Sequence, residues 1–165
     1  MAKKSNNMQT CGGGAWCVYE TPIGRVLISS DGSFITAVKY EIPECAGFEG
    51  APDALTERAA KQLGEYFAGK RREFDLPLRT GGTDFQRAVW EKLQGIPYGE
   101  TRSYKQVAQM IGNSKASRAV GLANNRNPIS IIIPCHRVVG SNGALVGYAG
   151  GLDAKQKLLN LERDT

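Results

Sequence analysis

The pattern of apolar and polar residues changes along the chain from short β-like stretches to helical spacing. Three β-like stretches, at residues 15–20, 25–30 and 33–40, are separated by turn sequences, which is typical of an antiparallel meander. Between the second and the third, Asp31-Gly32 favours a tight hairpin. Residues 54–68 then place apolar side chains four positions apart, and this spacing predicts an amphipathic helix.

A glycine-containing linker divides the chain into two predicted domains. A strand-like piece at residues 73–78 leads into Arg79-Thr80-Gly81-Gly82, which we interpret as this linker. The first predicted domain, residues 1–80, is a small α/β unit whose residues 1–14 are expected to be flexible. The second predicted domain covers residues 81–165.

The second domain has the pattern of a helix-turn-helix. Thr83 with Gln86 and Ser103 with Gln106 have the spacing of capping boxes, which mark helix starts. The first of these helices is expected to end at Pro97. After a glycine turn, another short helix is predicted from about Lys115 to Asn124. Its side chains are mostly small, and Arg118 is the one long side chain near its start; the small residues are Ala116, Ala119, Gly121 and Ala123. A helix of this kind suits either a narrow groove or tight packing against a neighbouring helix.

The basic residues are concentrated in the second half of this 165-residue chain, whose formal net charge is +5. Residues 1–80 hold ten Lys or Arg against ten Asp or Glu, whereas residues 81–165 hold eleven against six. The segment 101–152 contains six Lys or Arg and no carboxylate. Such a segment is typical of a surface that binds a polyanion, although a plain solvated surface has the same pattern.

Several classes of protein are excluded by what the chain lacks. The four cysteines form no CxxC pair and His136 is the only histidine, so the common zinc-ligand spacings are absent and no metal site is predicted. The longest apolar stretch, residues 129–134, is far shorter than the roughly 20 residues of a membrane-spanning helix. The basic, polar amino terminus lacks the apolar core of a secretory signal, so we expect a cytoplasmic protein.

The candidate chemistry lies at the end of a β-branched run. Residues 129–133 predict a buried strand or extended segment that ends at Pro134-Cys135-His136-Arg137. A cysteine here is most often an inert small hydrophobe, but cationic neighbours lower the pKa of a thiol and favour the thiolate. Adjacent side chains point in opposite directions, so His136 would reach Cys135 through a turn or a bridging water. Glu162 is a candidate to orient the imidazole, with an exposed helix-end charge as the alternative.

The cysteine motif and its flanking sequences occur in a characteristic order: Ile96-Pro97-Tyr98-Gly99-Glu100-Thr101, Ser103-Tyr104, Arg118-Ala119-Val120-Gly121, Asn127-Pro128, Pro134-Cys135-His136-Arg137-Val138, Gly147-Tyr148, Gly150-Gly151 and Glu162. In this order they closely resemble the O6-alkylguanine-DNA alkyltransferase family, the methylated-DNA–protein-cysteine methyltransferases. The resemblance is dense over residues 83–162. The amino-terminal part matches more loosely, through Thr21-Pro22-Ile23-Gly24 and Tyr66-Phe67-Ala68-Gly69.

The resemblance implies an α/β (α+β) fold in which a small ribonuclease-H-like α/β domain precedes a mainly helical, winged helix-turn-helix-like DNA-binding domain that carries the active-site cysteine. It implies direct-reversal DNA repair, in which O6-alkylguanine is flipped out of duplex DNA and its alkyl group is transferred irreversibly to Cys135, once per molecule. No cofactor is implied. The expected partner is double-stranded DNA containing O6-alkylguanine, bound through its minor groove by a monomeric protein.

The resemblance also assigns roles to individual residues. Glu162 orients His136, which draws the proton from Cys135 through a water. Tyr104 assists the departing base, and Asn127 holds the cysteine turn. Arg118 enters the base stack in place of the extruded guanine, and the other implied DNA-binding residues are Tyr104, Asn113, Lys115 and Ser141. The implied substrate pocket consists of Val138, Tyr148, Ala149 and Lys155.

Departures from the family pattern leave some alternatives open. Ala149 stands where some members carry a serine able to hydrogen-bond the guanine oxygen, so either the backbone amide serves or this contact is absent. Cys11, Cys17 and Cys45 are interpreted as free thiols, with a Cys11–Cys17 disulfide as the alternative. The competing functions are a non-reactive sensor of alkylated DNA, a helix-turn-helix regulator and a cysteine hydrolase, and Cys135 argues against the first of these.

Overall fold

The computed structural model describes residues 14–42 and 51–165, and Cys11, Cys45 and most of the predicted flexible amino terminus lie outside these ranges. An antiparallel sheet opens the described chain, with β1 (Ala15–Thr21), β2 (Gly24–Ser30) and β3 (Ile35–Lys39) in the order β1-β2-β3. The predicted meander is therefore confirmed. A single helix, α1 (Ala54–Phe67), packs against all three strands, and the described residues 14–42 and 51–80 are together called the sheet domain below.

The helix α1 forms where the apolar spacing predicts it. Asp53 caps its first turn by accepting a hydrogen bond from the Thr56 backbone N–H, and the Thr56 hydroxyl accepts one from the Asp53 N–H. The face toward the sheet buries Ala59, Leu63 and Tyr66 completely. Full burial of a large apolar side chain such as Leu63 stabilises the folded protein by roughly 1.5–3 kcal/mol.

The second part of the chain is mainly helical, and its elements are together called the helical domain. They are α2 (Asp84–Gln94), β4 (Arg102–Ser103), α3 (Tyr104–Met110), α4 (Ser117–Asn125), β5 (Val138–Val139) and α5 (Leu152–Asp164). Both predicted capping boxes are present, because the Thr83 and Ser103 hydroxyls each accept a hydrogen bond from a backbone N–H three residues on. The mixed fold with a small sheet domain and a helical domain agrees with the predicted fold class.

The predicted end of α2 is slightly displaced. The helix stops at Gln94, and the Gly95 N–H closes its last turn on the Leu93 and Lys92 carbonyls, so it ends before Pro97. The turn between α3 and α4 contains Gly112 at a φ of 80°, a conformation that glycine adopts without the steric cost of a side chain. None of the helices in the two described ranges is both long enough and apolar enough to span a bilayer.

Two predicted strands are wrong. Within residues 73–78 only Leu78 pairs with the sheet, through one parallel bridge to Ile35, and Pro77 lacks the N–H that a longer ladder needs. Residues 129–133 are buried as predicted but form a tight turn instead of a strand. In this turn Ile131 has a φ of 73°, and the Ile133 N–H donates to the carbonyl of residue 129 at 3.0 Å.

The tight turn is joined to the sheet domain by backbone hydrogen bonds. The Val38 N–H donates to the Pro128 carbonyl at 2.9 Å, and the Ser130 N–H donates to the Val38 carbonyl at 2.9 Å. One apolar core runs through both domains and includes Val38 from β3 and Ile129 from the turn. The segment that leads to Cys135 is therefore held by the sheet as well as by the helices around it.

Candidate active site

Cys135 begins a single 3-10 turn, Cys135–Arg137, directly after the buried turn of residues 129–133. Its backbone N–H donates to the Ile133 carbonyl at 2.8 Å. Asn127 braces the same segment from both sides, because its amide NH2 donates to the Ile133 carbonyl at 2.8 Å and its oxygen accepts from the Ile129 N–H at 3.0 Å. Asn124 also donates to the Cys135 carbonyl at 3.2 Å, so two asparagine side chains hold the backbone that carries the thiol.

The Cys135 thiol is protonated in the resting protein. Only 2% of the residue is exposed, and this burial raises the pKa of the thiol to about 11, against smaller lowering effects of Asn127 and Lys155. This net rise is opposite to the lowering expected from His136 and Arg137, the cationic neighbours of Cys135 in the sequence. His136 is itself buried, which lowers its pKa and leaves it neutral, and the guanidinium of Arg137 is bound to Glu162. A base is therefore needed to generate the thiolate.

His136 provides a base of the right form. Its Nε2 lies 2.7 Å from the Glu162 Oε1, and both side chains are buried. Because an ionised carboxylate accepts hydrogen bonds only, Nε2 carries the proton and Nδ1 presents a lone pair. Nδ1 is buried and has no hydrogen-bond partner among the described residues. The imidazole therefore holds one nitrogen ready to accept a proton.

Glu162 is the centre of a buried network and is not the exposed helix-end charge of the alternative interpretation. Arg137 donates to its two oxygens, from Nε at 2.9 Å and from Nη2 at 2.8 Å. The Tyr66 hydroxyl donates to Oε1 at 2.7 Å, and the Gly99 N–H donates to Oε2 at 3.3 Å. Burial opposes its ionisation, but the hydrogen bonds from His136 and Arg137 outweigh burial and hold the pKa of Glu162 well below its usual value.

Tyr104 and Lys155 meet at one stretch of backbone. The Tyr104 hydroxyl donates to the Val146 carbonyl at 2.6 Å, and the Lys155 Nζ donates to the carbonyls of Val146 and Gly147, each at 3.2 Å. The Nζ also lies 5.9 Å from the centre of the Tyr104 ring. Burial, followed by the charge on Cys135, raises the pKa of Tyr104, so its hydroxyl keeps its proton as a hydrogen-bond donor.

The predicted pocket residues differ in exposure. Val138 is fully buried in β5, Ala149 is exposed, and Tyr148 is half-buried with its hydroxyl 2.6 Å from that of Tyr40. A cavity of about 310 Å³ has Ala149, Tyr40 and Asn127 among its lining residues. This volume lies at the lower end of the range for small-molecule pockets, roughly 300–1,000 Å³.

The predicted DNA-binding residues lie on exposed surface. Arg118 projects from α4, Asn113 and Lys115 belong to the turn before it, and Ser141 follows β5. The small residues of α4 have two uses, since Ala116 and Ala123 are buried in helix packing whereas Ala119 is exposed beside Arg118. The buried face therefore fits the packing interpretation, and groove binding by the exposed face stays a prediction.

Sequence reasoning missed two tyrosines of the sheet domain that reach the site. Tyr66 is fully buried and donates to Glu162, and Tyr40 bonds to Tyr148. Tyr66 belongs to the Tyr66-Phe67-Ala68-Gly69 motif, which the resemblance includes without a role, and its position on the apolar face of α1 predicts only a core residue. For Tyr40 the sequence offers no comparable indication.

Comparisons with known proteins agree with this geometry. The family model of the 6-O-methylguanine DNA methyltransferase ribonuclease-like domain matches residues 15–80, and that of the DNA binding domain of the same family matches residues 84–164. A methylated-DNA–protein-cysteine methyltransferase of Methanosarcina acetivorans is 50% identical over 154 residues, which cover 89% of this chain and 97% of the relative. One from Mycobacterium tuberculosis is 47% identical over 155 residues, covering 87% and 89%.

Solved structures show the same relationship. The crystal structure of the Mycobacterium tuberculosis O6-methylguanine methyltransferase superposes with a TM-score of 0.83 at 45% identity and covers 92% of this chain and 93% of that chain. The structure of Mycobacterium tuberculosis OGT in complex with DNA gives a TM-score of 0.82 at 46% identity, covering 90% and 92%. The chain therefore belongs to the 6-O-methylguanine DNA methyltransferase family.

Proposed function

We propose that the protein repairs DNA by transferring the alkyl group of O6-alkylguanine to the sulfur of its own Cys135. The observation that carries this proposal is the buried thiol beside a His136–Glu162 pair whose free nitrogen, Nδ1, has no partner among the described residues. The family membership supports it, since the relatives are named methylated-DNA–protein-cysteine methyltransferases. Cys135 argues against a sensor that binds alkylated DNA without reacting.

The proposed reaction is one substitution at carbon. The Cys135 proton passes through a water to Nδ1 of His136, and Glu162 stabilises the imidazolium that forms. The thiolate attacks the alkyl carbon, the S–C bond forms as the C–O6 bond breaks, and guanine leaves with the electron pair and takes up a proton. Tyr104 donates to the departing base, exchanging its present acceptor, the Val146 carbonyl, for the guanine.

The product of this step explains why each molecule acts once. A thioether bond is stable in water, and none of the described groups around Cys135 provides a means of breaking it. The proposed reaction needs no cofactor, because the alkyl group moves directly from oxygen to sulfur. The requirement for a reduced thiol supports a cytoplasmic location, and one chain contains every reacting group, which supports action as a monomer.

The DNA is proposed to bind on the face that carries α4. A relative of this fold was solved in complex with DNA, and the acid-free basic segment 101–152 contains α4 and the turn before it. The target guanine must leave the stack to reach Cys135, and Arg118 fills the gap that it leaves in a minor-groove approach. Asn113, Lys115 and Ser141 contact the backbone, which positions the protein without reading sequence.

The extruded guanine is proposed to lie between Tyr148 and Val138, close to the Lys155 amine. Tyr148 is half-buried, so its ring can contact an aromatic base, and Val138 is buried directly after the cysteine turn. Ala149 has no hydroxyl, and we assign the hydrogen bond to the guanine oxygen to its backbone N–H.

A titration tests the proposed function. A duplex with one O6-methylguanine is incubated with increasing amounts of protein, and restored guanine should rise linearly and stop at one per chain. Cys135→Ser should restore none, while the matched control Cys17→Ser, which alters the other described cysteine, should behave as the wild type. Continued turnover by a limiting amount of protein would contradict the proposal.

A further inference from the structure

The sheet domain places one aromatic side chain at the substrate pocket. Tyr40 directly follows β3, and the strand is bound to the cysteine-bearing segment by hydrogen bonds on both sides of Val38. These bonds join Val38 to Pro128 and Ser130, each at 2.9 Å. The backbone of Tyr40, two residues further on, is therefore held in register with the segment that Asn127 braces.

The Tyr40 side chain is fixed at two further points. Its hydroxyl lies 2.6 Å from that of Tyr148, and the two rings meet edge to face with centres 5.5 Å apart. Its ring also rests against the backbone at Gly150, where an added Cβ would come within 2.8 Å of a ring atom. The backbone before Tyr40, its hydroxyl and its ring are therefore all in contact with other parts of the protein. A change in the position of Tyr40 would break these contacts.

Tyr40 lines a cavity beside two residues of the proposed site. Asn127 and Ala149 also line this cavity of about 310 Å³. Burial raises the pKa of Tyr40, against a smaller lowering effect of its hydrogen bond to Tyr148. The phenol is therefore neutral and forms an uncharged, partly apolar wall.

We propose that Tyr40 is a specificity-determining residue: its ring, bonded to Tyr148, forms the wall that faces the alkyl group of the lesion and slows the transfer of groups larger than methyl. This inference rests on the proposed transfer to Cys135. A methyl group fits beside the closed pair of tyrosines, whereas a larger group such as benzyl requires the Tyr40–Tyr148 bond to open. Pocket walls of this kind discriminate about tenfold or more for a difference of a few carbon atoms.

The test compares two lesions in one duplex sequence. Single-turnover rate constants for alkylation of Cys135 are measured with O6-methylguanine and with O6-benzylguanine, and their ratio is determined for each variant. Tyr40→Ala should raise the benzyl-to-methyl ratio about tenfold or more. Tyr40→Phe keeps the ring but loses one hydrogen bond, so it should raise the ratio only about threefold.

Matched controls separate this effect from general loosening of the sheet domain. Phe34→Ala removes an aromatic ring from the β2–β3 turn, and Tyr19→Phe removes a hydroxyl from β1, so both should keep the wild-type ratio. An unchanged or lowered benzyl-to-methyl ratio in both Tyr40 variants, with transfer intact in the wild type, would overturn the proposed role of Tyr40 but not the proposed function. Absence of Cys135 alkylation in the wild type with either lesion would overturn the proposed function and this inference together.

Discussion

The two domains contribute different things to one site. The helical domain supplies the groups with proposed chemical roles, Cys135, His136 and Glu162, whereas the sheet domain supplies hydroxyl groups and backbone contacts around them. Tyr66 reaches Glu162 across 96 positions of sequence, and Tyr40 reaches Tyr148 across 108. The proposed nucleophile and base are therefore neighbours in one short motif, while the groups that fix their geometry come from distant parts of the chain.

The largest expected effect comes from the helical domain. Glu162→Gln removes the charge that balances Arg137 and that stabilises the imidazolium of His136. Transfer to Cys135 should slow by about 10²–10⁴-fold, and the free energy of unfolding should fall by about 3–5 kcal/mol because a buried cation loses its partner. Single-turnover kinetics and urea unfolding measure the two effects.

Glu91→Gln, on the exposed face of α2, is the matched control. Equal transfer rates in the two variants would show that Glu162 does not assist proton transfer from Cys135 to His136.

A second effect isolates the DNA-dependent step within the same domain. Arg118→Ala should slow repair of duplex DNA by about tenfold to a hundredfold, because extruding a base without a replacement costs a few kcal/mol. The reaction with free O6-benzylguanine needs no extrusion and should change much less. Lys157→Ala, an exposed cation of α5 outside the acid-free segment, serves as the control. Equal losses with duplex and free base would remove the proposed role of Arg118.

The contribution of the sheet domain is tested by deleting one hydroxyl. Tyr66→Phe keeps the buried ring but removes a hydrogen bond to a carboxylate, so the free energy of unfolding should fall by about 1.5–3 kcal/mol. Transfer should slow by about tenfold, since the Glu162 carboxylate becomes less firmly placed under His136. Tyr98→Phe, which loses a hydroxyl contact to Thr165, is the matched control. If the two variants transfer alkyl groups at the same rate, the sheet domain does not position the His136–Glu162 pair.

The smallest effect concerns the charge of His136. Burial lowers the pKa of this imidazole from its ordinary value of 6.5, against the raising effect of Glu162. Below about pH 6.5 the unfolded chain binds a proton that the folded protein does not, so the free energy of unfolding decreases as pH falls through this range. His136 is the only histidine, so its NMR resonances are unambiguous in a protein without a histidine tag. They should not titrate between pH 8 and 6.5, and a midpoint near 6.5 would show that the imidazole is not buried as a neutral base.

The sequence predicted the parts of the site that are local. Capping boxes, the apolar face of α1, and the motif around Cys135 depend on neighbours within a few residues, and all are present in the structure. The strand predicted at residues 129–133 is wrong because a β-branched run favours extension locally, whereas the positive φ of Ile131 is imposed by the surrounding structure at a cost of about 1–3 kcal/mol.

The pKa of the Cys135 thiol shows why those features of the site that depend on distant contacts could not be predicted from the sequence. Proximity in sequence suggested that Arg137 acts on Cys135, but the guanidinium turns to Glu162 and the Ile96 carbonyl. Burial then determines the pKa of Cys135, and burial depends on packing between distant segments. The two tyrosines of the sheet domain were missed for the same reason, because only the folded chain brings them to the site.

The most direct test of the central claim locates the transferred carbon. The protein is incubated with a duplex that contains one O6-methylguanine, digested, and analysed by peptide mass spectrometry. The peptide containing Cys135 should gain one CH2 unit on its sulfur, in step with the appearance of unmodified guanine. A methyl group on any other residue, or loss of the lesion with Cys135 unmodified, would contradict the proposed transfer.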